Sequence, residues 1–171
     1  ATSQILAAAI DTIGVEKDDV VMCGRQAIDG DTAQVGPQIA EKLGVPQVSY
    51  VEKVEVNNGK VTVQRQLEDG YMTIKVNTPC LLTCLKELNE ARYMSVDGIM
   101  ECYAKPLNVF NYETLKDDPL IDVDTIGLKG SPTNVYKSFS PPVKGAGMML
   151  EGADKGTVDQ LVGILNDKHI I

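Results

Sequence analysis

A loop of small and acidic residues, Asp29–Thr32, lies between an apolar run and an amphipathic segment. The apolar run Val20–Cys23 is rich in β-branched residues and predicts a buried strand, whereas the spacing of Ile39, Ala40 and Leu43 predicts a helix. Asp, Gly and Thr favour turns and helix N-caps, and the free N–H groups of a helix start carry partial positive charge that suits a phosphate. The pattern indicates nucleotide binding, although ordinary strand-to-helix loops also contain Gly and Asp.

The sequence gives less support to metal binding or to catalysis by side chains. Asp29 and Asp31 form a close carboxylate pair, but no third carboxylate or histidine stands at ligand spacing, so we predict no metal site. The only histidine, His169, lies next to the carboxyl terminus, which argues against a histidine-dependent catalytic triad. We therefore expect no catalytic side chain.

The cysteines carry no zinc pattern. Two of them are spaced Cys80-x-x-x-Cys84, and Cys23 and Cys102 stand alone, without CxxC pairs or nearby histidines. We predict that they are buried free thiols.

Composition excludes several partners. The formal net charge is −8 and the sequence contains no basic stripe, which argues against nucleic-acid binding. There is neither a long apolar run nor a signal segment, so we expect no membrane insertion, no secretion and a cytoplasmic location.

The order of elements predicts an α/β fold. Residues 3–13 have helical period, and the sequence continues with a strand at 20–23, a helix at 37–43 and a strand at 48–51, an order typical of a parallel sheet. Alternation over residues 53–67 around Asn57-Asn58-Gly59 then predicts a hairpin, followed by strands at 71–76 and 79–85. Such antiparallel strands form an edge extension.

The second half has a weaker pattern. From Tyr103 onward prolines interrupt the apolar period, yet apolar side chains remain frequent, so we expect an arm that packs on a partner, ending in a helix at 157–168. Before it, residues 89–100 predict a loop with Gly98 as its pivot. Its apolar side chains suit either an exposed anchor or packing onto the core.

The string from Gly24 to Val51, GRQAIDGDTAQVGPQIAEKLGVPQVSYV, resembles the signature of the beta (small) subunit of electron-transfer flavoproteins. The resemblance covers essentially all 171 residues. It implies a Rossmann-like sheet of the adenine nucleotide alpha hydrolase-like type, with an antiparallel edge extension and a C-terminal arm. Residues 1–102 would be the C-terminal portion of the nucleotide-binding domain, and residues 103–171 an arm and terminal helix on the alpha subunit. Because the chain starts within a helical period and without Met, we expect an N-terminal portion to be missing.

In the family this loop wraps AMP or the ADP half of a second FAD. The resemblance implies that Thr32 and Gln34 contact phosphate or ribose, that Val35 presents its N–H, and that Gly24 and Gly36 let the backbone come close. Arg25 offsets phosphate charge or is a solvated arginine. The implied cofactor-binding set is Cys23, Gly24, Arg25, Gln26, Ala27, Ile28, Asp29, Gly30, Asp31, Thr32, Ala33, Gln34, Val35 and Gly36.

The amino-acid sequence of the loop resembles that of the electron-bifurcating branch of the family, whose members hold FAD at this site. That implies a heterodimer with the alpha subunit in which electrons pass from NADH to ferredoxin and, through the alpha-subunit FAD, to an acyl-CoA dehydrogenase. The family's partner-recognition loop falls on 89–100, and the implied dehydrogenase contacts are Arg92, Tyr93, Met94, Val96, Ile99 and Met100, with Val96 as anchor.

Two alternatives stay open: a non-bifurcating beta subunit that holds AMP, and a nucleotide-binding module of the universal-stress type. The second would not need the long arm or the 89–100 loop. An adenylating ATP pyrophosphatase would need a Ser-Gly-Gly-x-Asp-Ser loop, which the sequence lacks.

Overall fold

The computed structural model describes residues 1–57 and 60–171. Within them the chain forms two compact units, Ala1–Asn134 and Val135–Ile171. The first unit contains α1 (Thr2–Ile13), β1 (Val20–Gly24), α2 (Val35–Leu43), β2 (Gln47–Asn57), β3 (Lys60–Leu67), β4 (Gly70–Val76), β5 (Cys80–Cys84) and the short helices α3 (Val96–Glu101), α4 (Tyr112–Leu115) and α5 (Gly127–Gly130). The second contains α6 (Lys155–Asp167).

The five strands form one sheet in the order β1-β5-β2-β3-β4. Strands β1, β5 and β2 are parallel, and β2, β3 and β4 are antiparallel. The predicted α/β fold with an antiparallel edge extension is thus confirmed. Asn58 and Gly59 of the predicted hairpin turn lie outside the described residues. Asn57 is paired with Lys60 in the antiparallel register of β2 and β3.

Strand β5 lies in the middle of the parallel part because it is apolar on both sides. Residues Cys80–Thr83 are all buried, as expected of a strand covered on both faces. Leu81 packs with Ala7, Ile39 and Ala40, so α1 and α2 cover the same face. The other face of β5 packs into a cluster of strand residues, Val48, Val51, Val61, Val63, Val76, Cys80 and Leu82.

A segment after the sheet packs back on α1. The buried amide of Gln4 donates from Nε2 to the carbonyl of Leu120 (2.6 Å) and accepts at Oε1 from the hydroxyl of Thr125 (2.8 Å). Leu115 of α4 is buried as well. The first compact unit extends to Asn134. The boundary at 102/103 between nucleotide-binding domain and arm, implied by the resemblance, stays a prediction. That the arm binds a partner stays a prediction.

The second unit begins without regular structure, and α6 follows at Lys155–Asp167, close to the predicted 157–168. The Asp154 carboxylate caps this helix by accepting from the N–H of Thr157 (2.9 Å), and this bond lowers the pKa of Asp154. None of the helices in residues 1–57 and 60–171 is long and apolar enough to cross a membrane.

Candidate functional site

The parallel strands end together at one edge of the sheet. Gly24 of β1 and Val51 of β2 both pair with Cys84 of β5, so the carboxyl ends of β1 and β5 lie beside the end of the parallel part of β2, which continues to Asn57. Ligands of open α/β sheets bind outside this edge. The loop between β1 and α2 leaves the sheet here and leads directly into the N-terminus of α2.

The N-termini of α1 and α2 border a cavity of about 490 Å³, called the helix-start cavity below. The hydroxyl of Ser3 donates to the amide oxygen of Gln38 (2.9 Å) and joins the two helix starts. The N-cap residue of α2, Gln34, makes no side-chain cap bond, which leaves the first N–H groups of α2 available to a ligand. The lining residues are Ala1, Thr2, Ser3, Gln4, Thr32, Gln34, Val35, Gln38, Glu41, Lys42, Thr125, Gly130, Ser131, Pro132 and Thr133.

The loop backbone is unusual on both sides of Thr32. Asp31 and Ala33 have φ values of 50° and 53°, in the left-handed region that non-glycine residues rarely adopt. The N–H of Asp31 donates to the carbonyl of Ala27 (3.1 Å), and the side-chain amide of Gln26 donates to the Asp31 carboxylate. Strained backbone of this kind is concentrated at ligand clamps and active sites.

The structure divides the predicted cofactor-binding residues among three places. Thr32, Gln34 and Val35 line the helix-start cavity, whereas Arg25 lines a second pocket with Tyr50 and Arg65. The third place is the solvent-exposed stretch from Gln26 to Asp31, where Ile28 is 99% exposed, while Cys23 and Ala33 are half-buried and Gly36 is buried. The cavity can thus offer backbone N–H groups, a hydroxyl and an amide to a phosphate or ribose.

Gly36 has a packing reason to be glycine. A Cβ at this position would lie 2.6 Å from the methyl carbon Cγ2 of Thr83, so α2 approaches β5 as closely as a bare backbone allows. Gly36 is also buried, while the space around Gly24 is open. The family resemblance implies close approach of a nucleotide at Gly36, whereas the geometry shows close approach of a strand. A nucleotide contact at Gly36 stays a prediction.

Only Thr32, Gln34 and Val35 of the residues that line this cavity were predicted from the sequence, so most of its wall was missed. The residues of α1 could have been found, because a helix that precedes a parallel strand also begins at the carboxyl edge. Nothing in the local sequence signals that Gly130–Thr133 line the same cavity, since that segment comes from a distant loop.

The 89–100 region contains a helix rather than a glycine-pivoted loop. Ser95 caps α3 by accepting from the N–H of Gly98 (3.1 Å), which places Gly98 inside the helix, so the prediction of a pivot was wrong. Val96 is 76% exposed. Of the two alternatives left open, this exposure fits the anchor and not packing onto the core. The other predicted contacts are exposed too: Arg92, Tyr93, Met94, Ile99 and Met100.

The cysteines differ from the prediction at one position. Burial raises the pKa of the Cys23, Cys80 and Cys84 thiols, but Cys102 is exposed. It follows the short helix α3, which has no buried residue, and so has no core to enter. The described residues contain no group of three or more His, Cys, Asp or Glu side chains that could hold a metal ion.

Comparison with known proteins gives consistent matches. Residues 1–115 match the model of the electron transfer flavoprotein domain. Over its whole length the chain is 60% identical to acryloyl-CoA reductase electron transfer subunit gamma of Anaerotignum propionicum and 52% identical to caffeyl-CoA reductase-Etf complex subunit CarD of Acetobacterium woodii. It is 49% identical to electron transfer flavoprotein subunit beta of Thermoanaerobacterium thermosaccharolyticum. The chain covers 64%, 63% and 64% of these relatives, respectively.

Proposed function

The chain belongs to the electron transfer flavoprotein family, among its beta subunits, and we propose that it binds FAD through the cavity at the starts of α1 and α2. The observation that carries the proposal is the position of Thr32, Gln34 and Val35. These three residues line one cavity at the carboxyl edge of the parallel strands, beside the uncapped start of α2. Helix N–H groups and short polar side chains suit the phosphates of a dinucleotide.

The residues present fit a dinucleotide in further ways. A cavity of about 490 Å³ is in the range of small-molecule sites. Its walls offer hydroxyl and amide groups from Ser3, Gln38 and Thr133 in addition to the loop. When bound, the flavin supplies the redox chemistry, and the protein supplies position and electrostatics.

The proposed physiological role is electron bifurcation. Electrons would enter from NADH, and leave to ferredoxin and, by way of an alpha-subunit FAD, to an acyl-CoA dehydrogenase. Support comes from the relatives whose names place them with an acryloyl-CoA reductase and a caffeyl-CoA reductase. The exposed side chains of α3 would contact the dehydrogenase, and the arm would contact the alpha subunit.

Extraction of nucleotide from the purified heterodimer tests this role. Two FAD per heterodimer are expected. One FAD with one AMP would support the non-bifurcating beta subunit instead, and a complex with no nucleotide at this subunit would contradict the binding site itself.

A further inference from the structure

A second pocket, of about 390 Å³, lies at the same sheet edge and is lined by Arg25, Tyr50, Arg65, Gln66, Leu67 and Glu68. Arg25 follows the end of β1, Tyr50 lies in β2 next to the residue paired with the end of β5, and Arg65 pairs with Val51 from β3. None of the residues that line the helix-start cavity lines this pocket.

Two guanidinium groups meet on one aromatic ring. The Cζ atoms of Arg25 and Arg65 lie 5.3 and 5.9 Å from the centroid of the Tyr50 ring. The chain has only three arginines, the third being Arg92, and a net charge of −8, so this concentration of positive charge is unusual for it.

The two cations have no protein counter-ion within the described part of the chain. Its ion pairs are Lys53–Glu55 and Lys116–Glu113, and neither involves an arginine. The Nε atom of Arg65 is buried and makes no hydrogen bond there. A buried N–H donor without an acceptor is costly, which indicates that a ligand completes the site.

Tyr50 is held in place by the core. Its φ is 59°, where β2 departs from regular pairing, and its N–H donates to the hydroxyl of Thr83 (3.1 Å). Thr83 is itself buried against Gly36. The backbone of Tyr50 is therefore bonded to a buried residue at the contact between α2 and β5.

We propose that Arg25 and Arg65, supported by Tyr50, form an oxyanion site that takes a phosphate group. Two guanidinium forks provide the directed donors and double charge that a phosphate dianion accepts. Glu68 also lines the pocket, and its carboxylate competes with an anionic ligand for the two arginines. The ligand must therefore carry more negative charge than a single carboxylate. The proposal assigns Arg25, which the family resemblance implies is a cofactor contact, to a pocket separate from the cavity proposed for FAD, so it does not depend on FAD binding in that cavity.

The test follows the arginine Nε–H signals of the full chain, labelled with ¹⁵N-arginine, by two-dimensional NMR. Inorganic phosphate is added against potassium chloride at equal ionic strength, and acetate is the carboxylate control. We expect the Arg25 and Arg65 signals to shift and saturate with one binding constant, while the Arg92 signal does not move. Separate titrations with AMP and FAD then distinguish free phosphate from a nucleotide phosphate, since tighter binding by a nucleotide would identify the latter as the source.

Variants assign the effect. Arg65→Gln and Arg25→Gln should each weaken phosphate binding about tenfold or more, the equivalent of one charge-assisted contact. Arg92→Gln is the matched control and should bind as the parent does. Arg25 is in an exposed loop, so its variant keeps the test valid even where Arg65→Gln lowers stability. Thr32→Val, which alters the helix-start cavity, should leave the Arg65 shift intact and so separates the two sites.

Three results would overturn the proposal. They are equal, non-saturating shifts of all three arginines, acetate binding as tightly as phosphate, and parent-like phosphate affinity in both arginine variants.

Discussion

Gly36 and Thr83 show how closely α2 rests on the sheet. Gly36→Ala adds a methyl group where Thr83 Cγ2 is 2.6 Å away, and overpacking of this kind costs about 1–3 kcal/mol of unfolding free energy. Thr83→Ser removes that methyl and keeps the hydroxyl that Tyr50 uses. The double variant should therefore recover stability, to within about 1 kcal/mol of Thr83→Ser alone. Urea unfolding measures this.

Gly24→Ala is the control, because the space around Gly24 is open. It should change the unfolding free energy by no more than about 0.5 kcal/mol. A double variant no more stable than Gly36→Ala would show that Thr83 is not the obstacle.

The four cysteines should differ in how fast they react with an alkylating reagent. A raised pKa means less thiolate at a given pH, so Cys23, Cys80 and Cys84 should stay unmodified at neutral pH and become reactive only as the pH rises further. Cys102 is exposed and should react first. Iodoacetamide labelling of the folded chain at pH 7–8, read by mass spectrometry, should give one adduct, which Cys102→Ser abolishes. Labelling of Cys80 as fast as Cys102 would contradict the buried strand.

Single residues were predictable from the sequence where local chemistry sets them. The turn-forming loop from Asp29 to Thr32 and the apolar strand before it are local signals, and the structure places both where they were predicted. The prediction that this strand is buried was wrong, because β1 lies at the edge of the sheet and its residues are half-buried or exposed. The left-handed backbone at Asp31 and Ala33 and the meeting of Arg25 with Arg65 are not local, because they depend on which strands become neighbours.

At the scale of elements, two hydrogen bonds of Gln4 hold the segment after the sheet against α1. Gln4→Met leaves the half-buried Leu120 carbonyl without its partner, and an unsatisfied group of this kind costs about 1–3 kcal/mol. It also removes one bond of the Thr125 hydroxyl, which is exposed and keeps the Asp122 carbonyl as a partner. Hydrogen exchange should therefore accelerate in residues 118–126 and not in β5. Gln47→Met, at an exposed position of β2, is the control and should leave exchange unchanged. Equal hydrogen exchange of residues 118–126 in both variants would show that Gln4 does not hold this segment against α1.

Helix α3 provides the test of partner recognition. Val96→Asp places a carboxylate at the first position of a helix, where negative charge is tolerated, so the melting temperature of the complex should not change. Burying that charge in an apolar contact should weaken docking to the dehydrogenase by about 1–3 kcal/mol. The rate of partner-flavin reduction is the readout.

Val56→Asp is matched to it, since Val56 is a 65% exposed residue of β2 that lies outside both the predicted dehydrogenase contacts and the arm proposed to contact the alpha subunit. It should not affect the rate. A lower melting temperature of the Val96→Asp complex, or reduction of the partner flavin at the parent rate, would rule out Val96 as the anchor.

The arrangement of elements was predictable in part. Periodicity gave α1, α2 and α6, the parallel part and the antiparallel extension, because burial on one or both faces leaves a pattern in sequence. It did not give the short helices α3, α4 and α5. It gave neither the place of β5 between β1 and β2 nor the packing of residues 111–126 on α1. Strand order and the destination of a long segment depend on contacts between residues far apart in the chain.

For the whole molecule, the central claim is that an adenine nucleotide binds where α1, α2 and the loop at Gly130–Thr133 meet. Photolabelling of the full chain, in complex with its alpha subunit, with 8-azido-AMP and peptide mapping tests that place directly. The label should map to residues 1–4, 32–38 or 130–133 and be displaced by FAD. Thr32→Val should reduce it, whereas Thr73→Val, at an exposed position of β4, should not. Label on other peptides, or label that FAD does not displace, would contradict the account.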